Sequence, residues 1–151
     1  ICRLANKYNI DFVGARIFNI TGPGEPTRMV GGSIVSQLKN GSSIKMGNLS
    51  PKRDFVDVRD VVSALVVIGN QGKSKEIYNI CSGKSISIRN YLELIVKELG
   101  IKPEISIDQN RVNPNDLKDL VGDNSKIIKE LNWNLKYDLR KSIKDLVKNN
   151  Y

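Results

Sequence analysis

Short apolar runs of strand length alternate along this chain with segments of helical periodicity, joined by brief connections. That alternation predicts an α/β fold, in which each helix packs back onto a sheet of largely parallel strands. The run Phe12-Val13-Gly14-Ala15-Arg16-Ile17-Phe18 has the length and β-branched content of a buried strand. It leads within a few residues into Gly22-Pro23-Gly24, which can hold no regular structure. In an open α/β sheet, ligands bind at loops leaving the carboxyl ends of strands. Asn19 and Thr21 therefore stand where polar side chains would meet a ligand. The alternative is an ordinary strand exit built from turn-forming residues.

The remaining elements follow from periodicity and capping. Ile1, Leu4, Ala5 and Tyr8 recur at helical spacing, so the chain is expected to begin inside a helix and to be part of something longer. A polar loop from Thr27 to Gly32 is expected to lead into a helix over Ser33 to Lys39. Ile44-Lys45-Met46 reads as a short strand. Polar and apolar residues alternate from Arg53 to Val58, the pattern of a half-exposed strand. Asp57 or Asp60 would cap a helix over Val61 to Ile68, apolar on most sides and expected to be buried. Ile77 to Cys81 is a strand. Ser87 and Gly100 bracket a helix over residues 88–99. Glu104 to Ile107 is a strand, and a polar loop runs from Asp108 to Asp119. Two helices finish the chain, one carrying Ile127, Ile128 and Leu131, the other capped by Asp138 and carrying Leu139, Ile143, Leu146 and Val147. No internal boundary is visible, so residues 1–151 read as a single segment.

The net charge of +8 favours an anionic partner: nucleic acid, a membrane surface or a phosphorylated small molecule. The lysines are scattered, and the aromatics, at 6%, are not interleaved with them as a stacking platform for nucleic acid requires. No nucleic-acid partner is expected. No run approaches the ~18 to 20 apolar residues of a membrane span, so no membrane partner is expected either. Cys2 and Cys81 form no metal-spaced pair and lie in apolar contexts, as reduced core cysteines of a cytoplasmic protein do. The chain contains no histidine, which excludes a histidine-based triad or metal site within it.

Four stretches together resemble a known family. The first is Arg16-Ile17-Phe18-Asn19-Ile20-Thr21-Gly22-Pro23-Gly24-Glu25. The second runs from Gly47-Asn48-Leu49 through Arg53-Asp54-Phe55-Val56-Asp57-Val58-Arg59-Asp60. The third is Glu76-Ile77-Tyr78-Asn79-Ile80-Cys81-Ser82-Gly83-Lys84, followed by Ile86-Ser87-Ile88. The tail adds Pro114 and Asp116, then Gly122-Asp123, Ser125-Lys126 and Asn132-Trp133. In this order and spacing they resemble the C-terminal part of extended short-chain dehydrogenase/reductases, the NAD-dependent epimerase/dehydratase family. The Gly-Asn-Leu lead-in is most similar to the GDP-mannose branch: GDP-4-dehydro-6-deoxy-D-mannose reductases first, GDP-mannose 4,6-dehydratases next. UDP-sugar epimerases share the Arg-Asp-aromatic unit.

The resemblance implies the substrate-binding part of a nucleotide-sugar enzyme, together with the last strands of a Rossmann-type sheet. The cofactor, NAD or NADP, would be held mainly by an N-terminal half not contained in this chain. The catalytic Tyr-x-x-x-Lys would lie upstream of Ile1, so no catalytic residue and no metal site is expected here. The full-length enzyme is a possible homodimer. By the same resemblance, Asn19 would contact the substrate near its diphosphate, and Thr21 and Gly22 would line the cofactor side of the cleft through backbone groups. Arg53 would pair with the diphosphate, a role suited to a guanidinium fork; the alternative is an ion pair with Asp54 or Asp57. Asn48 and Leu49 would sit beside the base or ribose, or simply form a turn. Relatives carry an arginine before the proline at 114, where this chain has Asn113. Asp116 retains the acid that reaches a ribose hydroxyl, and Arg111 is the cation available to replace the missing one. A non-catalytic nucleotide-sugar-binding module is the reading from a different class.

Overall fold

The computed structural model describes residues 2–150, apart from the side chains of Cys2, Asn6 and Asn150. Its elements in chain order are α1 (Cys2–Tyr8), β1 (Gly14–Ile17), β2 (Asn19–Thr21), α2 (Val30–Lys39), β3 (Ser43–Met46), β4 (Lys52–Asp57) and α3 (Val58–Gln71). They continue with β5 (Ile77–Ile80), β6 (Ser85–Ser87), α4 (Ile88–Leu99), β7 (Glu104–Ile107), β8 (Asp119–Leu120), α5 (Ser125–Leu131) and α6 (Leu139–Asn150). The expected α/β class is observed, with parallel pairing dominant. β1 pairs with β5, β2 with β4, β3 with β7 and β4 with β8, all parallel, while β4 and β6 run antiparallel.

Capping chemistry explains the most regular helix. The Ser87 hydroxyl accepts from the Asn90 N–H at 3.1 Å, and Gly100 closes α4 at a φ of 68°. Asp57, one of the two caps expected for α3, accepts from the Arg59 N–H at 2.8 Å. Asp138 does the same for α6 through the Lys141 N–H at 2.7 Å.

β4 is the wall on which the molecule is organised. Phe55 enters one core with Ile34, Leu38, Ile44, Tyr91, Ile95 and Leu146. Val56, on the opposite face of the pleat, enters a second core with Val61, Ala64, Tyr78, Ile80 and Trp133. The expectation of a half-exposed strand at 53–58 is therefore corrected: both faces are covered, and Asp54 and Asp57 are buried along with their apolar neighbours. Four other expectations shift. α2 begins at Val30, not Ser33, with Gly31 and Gly32 inside the helix. α3 is longer than expected and only half buried, presenting Val62, Leu65 and Val66 to solvent. β1 is shorter than the apolar run suggested and its last three residues are exposed, since β5 is its one strand partner among the described residues. In α1 Ala5 is buried, but Leu4 and Tyr8 are exposed.

Cys81 is a buried free thiol. Cys2 lies outside the described side chains. Among the described residues no helix is long and apolar enough to cross a membrane.

Candidate functional site

The loop after β2 is shaped by two glycines, Gly22 at a φ of 127° and Gly24 at 77°. A side chain on Gly22 would also stand 3.3 Å from Asp57 Oδ2 and from Val58. This loop walls a cavity of about 240 Å³ that includes Thr21, Gly22, Pro23 and Val58. A second cavity of about 530 Å³ is lined by Thr27, Arg28, Met29, Ser33, Gly47 and Arg111, among others. Arg28 and Met29 line both. The larger cavity carries two arginines and no acidic residue in its lining, so it suits an anion.

The sequence-derived site residues take different places. Arg111 is in the larger cavity, steadied by Asp108 at 3.3 Å and by the Lys45 carbonyl, to which its Nη1 donates at 3.1 Å. The loop carrying it runs on to Asp116, which pairs with Arg53. Arg53 Nη1 also donates to the carbonyls of Lys52 at 2.7 Å and Leu117 at 2.8 Å. The alternative partners, Asp54 and Asp57, are engaged elsewhere. Asp54 accepts from the Ser82 hydroxyl and from the N–H groups of Ser82, Gly83 and Gly122 at 2.6–3.1 Å. Asp57 binds Arg59 and the Ser142 hydroxyl. The structure thus joins Arg53 with Asp116 and sets Arg111 in a cavity whose described lining includes neither.

Asn19 Nδ2 donates to the Asp54 carbonyl at 3.2 Å, which uses one of the four hydrogen-bonding positions on its amide. Asn48 is exposed, and its Oδ1 closes a turn by accepting from the Ser50 N–H at 3.0 Å and the Ser50 hydroxyl at 2.9 Å. Leu49 is 4% exposed and belongs to the core beside Phe55 and Tyr91. The expected open apolar wall at Leu49 is corrected, because its side chain is used for packing. Thr21 is also corrected in part: its hydroxyl is buried against the Tyr91 hydroxyl at 2.6 Å, although the residue still lines the smaller cavity. Gly22 lines the same cavity.

Sequence reasoning missed Arg28, whose only signal was a cation placed shortly after the Gly-Pro-Gly loop. It also missed Glu25, which is 9% exposed beneath that loop and accepts from the Gly31 N–H at 2.7 Å. Burial pushes the Glu25 carboxyl above the usual carboxylate range, against the hydrogen bonds that favour its charged form. Tyr91 is likewise pushed up by burial, with the Glu25 charge adding to it. At about 240 Å³ the cavity beside the glycine loop is below the size of an ordinary small-ligand pocket, so by itself it is not a full dinucleotide site. Among the described residues no group of three histidine, cysteine or acidic side chains converges to hold a metal.

The model of the GDP-mannose 4,6 dehydratase family matches residues 2–146. GDP-6-deoxy-D-mannose reductase of Pseudomonas aeruginosa is 27% identical over 139 residues, covering 88% of this chain and 46% of the reductase. UDP-arabinose 4-epimerase 1 of Arabidopsis thaliana is 36% identical over 110 residues, covering 71% of this chain and 26% of the epimerase. The solved structure of RMD from Pseudomonas aeruginosa, complexed with NADPH, superposes with a TM-score of 0.88 at 24% identity. That match covers 98% of this chain and 51% of the solved one, and it shows the shared fold. The chain spans about half the length of the reductase and of the solved structure. With the family match running through both cores and the glycine loop, the chain belongs to the GDP-mannose 4,6 dehydratase family.

Proposed function

We propose that this chain is the substrate-binding part of an NAD(P)-dependent nucleotide-sugar enzyme, with GDP-4-dehydro-6-deoxy-D-mannose reduction as the favoured reaction. The observation that carries this reading is the acid-free cavity holding Arg28 and Arg111 beside the Gly22-Pro23-Gly24 loop. Two guanidinium groups suit a diphosphate, whose charge they neutralise through paired hydrogen bonds. Arg53, outside the described lining of that cavity, is the cation the family resemblance assigns to the diphosphate, and Asp116, its partner, is suited to a ribose hydroxyl. Arg111 takes the place of the arginine that relatives carry at position 113. Asn19, with amide positions to spare, and Asn48 would contribute polar contacts at the rim.

The whole chain acts as one substrate-binding segment in this reading. A preceding half, of the kind present in relatives about twice as long, would carry the cofactor site and the Tyr-x-x-x-Lys pair. The nicotinamide supplies or accepts hydride when bound. Thr21 and Gly22 contribute backbone to one wall of its site. The intact enzyme is taken as a homodimer, and the buried thiol of Cys81 fits a reducing, cytoplasmic setting.

The likeness to a UDP-arabinose epimerase favours a second reading, a UDP-sugar substrate and epimerisation. Calorimetric titration of the intact protein with GDP-, UDP-, dTDP- and CDP-sugars separates the two. GDP-sugars are expected to bind tightest; preference for UDP-sugars selects the second reading. Binding without turnover in the presence of cofactor would point to a non-catalytic module.

A further inference from the structure

Glu25 lies where four parts of the cleft meet. It follows the Gly22-Pro23-Gly24 turn, accepts from the Gly31 N–H in the first turn of α2, and has the Gly32 N–H within reach as well. The hydroxyls of Thr21 on β2 and Tyr91 on α4 also hydrogen-bond its carboxyl, and they bond one another at 2.6 Å. The fit leaves no slack. A Cβ on Gly31 would stand 2.5 Å from the Tyr91 hydroxyl and 2.6 Å from Glu25 Oε2, and one on Gly32 would stand 2.4 Å from the Pro26 carbonyl. The two glycines are therefore what lets the loop approach α2 this closely. Arg28 and Met29, three and four residues after Glu25, line both cavities.

We propose that Glu25 is a positioning residue of the cleft, a carboxyl latch that pins the 22–29 loop to α2 and Tyr91 and so sets where Arg28 and Met29 stand. The inference rests on reading this cleft as a nucleotide-sugar site. A structural carboxyl anywhere in a core would stabilise the fold; this one stabilises the segment that forms the wall between the two cavities.

The test compares wild type, Glu25→Gln, Glu25→Ala and Arg53→Ala in the intact protein, with GDP and UDP as probes. Glu25→Ala is expected to weaken GDP binding about tenfold with helix content unchanged. Glu25→Gln, whose amide oxygen still accepts from Gly31, is expected to restore the affinity. Affinity unchanged in Glu25→Ala, or Glu25→Gln as weak as Glu25→Ala, overturns the latch. If Arg53→Ala abolishes GDP binding while the Glu25 variants match wild type, the cleft reading stands and the latch falls. If wild type binds neither GDP nor UDP, the cleft reading falls and hydrogen exchange decides the latch. Faster exchange at residues 22–29 in Glu25→Ala but not in Glu25→Gln supports it, and unchanged exchange overturns it.

Discussion

The guanidinium of Arg53 is held by Asp116, 63 positions further along the chain, with the Lys52 and Leu117 carbonyls taking a second edge of the same group. The arginine is thereby oriented before any ligand arrives. A diphosphate that binds it would exchange with, or add to, an existing carboxylate partner. Arg53→Ala in the intact protein is expected to weaken GDP-sugar affinity by about tenfold or more, the worth of a charge-assisted hydrogen bond of ~1.5 to 3 kcal/mol. Cofactor affinity should be unchanged. Titration with each ligand checks this, and equal loss of both counts against the assignment.

Asp54 is fully buried and gathers four donors from two segments distant from it in sequence, Ser82–Gly83 and Gly122. Replacing it with alanine strands those donors, at about 1 to 3 kcal/mol for each one left without water or a partner. Asp54→Ala is expected to lower unfolding free energy by roughly 3 kcal/mol or more, read from urea denaturation. Asp54→Asn should lose less, since its amide oxygen still accepts.

Gly32 and Gly41 should respond oppositely to alanine. The Cβ at Gly32 would meet the Pro26 carbonyl at 2.4 Å, a backbone atom that has little room to yield. A destabilisation of about 1 to 3 kcal/mol follows. A Cβ at Gly41 meets nothing within 4 Å. Gly41→Ala is expected to be neutral or to stabilise by less than about 1 kcal/mol through the unfolded chain. Thermal melts of the two variants separate the cases.

Two buried carboxyls predict opposite pH effects. Burial raises the Asp57 pKa, but hydrogen bonds from Arg59 and Ser142 outweigh it and hold the carboxyl below its ordinary value. Its contribution is complete above the unfolded value and is lost as pH falls through the depressed one. Glu25 is raised, so its contribution is complete below the unfolded value and is lost as pH rises through the folded one. Asp57→Asn should flatten the acid limb of the stability profile below about pH 4, and Glu25→Gln the limb above it. Denaturation midpoints measured across pH check both signs.

The division of labour proposed for this family member gives one further outcome. The 151-residue chain by itself is expected to turn over no GDP-sugar with NADPH, whatever it binds. Measurable hydride transfer by the isolated chain would overturn that division.

Much of the fold was legible because its signals are local. Ser87, Asp138 and Gly100 act within a few residues of themselves, and the stripes of α4 and α6 follow from helical spacing. The ordered motifs likewise identified the family. The placement of the candidate site residues was less legible. Arg111 lines the larger cavity and Gly22 the smaller one, but Thr21 and Leu49 carry side chains that the core takes. A threonine or leucine in a loop motif reads the same whether it faces a ligand or a neighbouring helix.

Sequence by itself determined the α/β class, the caps, the approximate strands and the glycine loop, because each depends on neighbours a few residues away. Tertiary structure alone decided that β4 is covered on both faces, that Arg53 meets Asp116, and that Glu25 joins Thr21 to Tyr91. Those pairings span tens of residues, and strand register and helix packing choose the partner. The same reason placed Arg28 in the lining of both cavities, since its neighbours in sequence do not fix how the loop lies against α2.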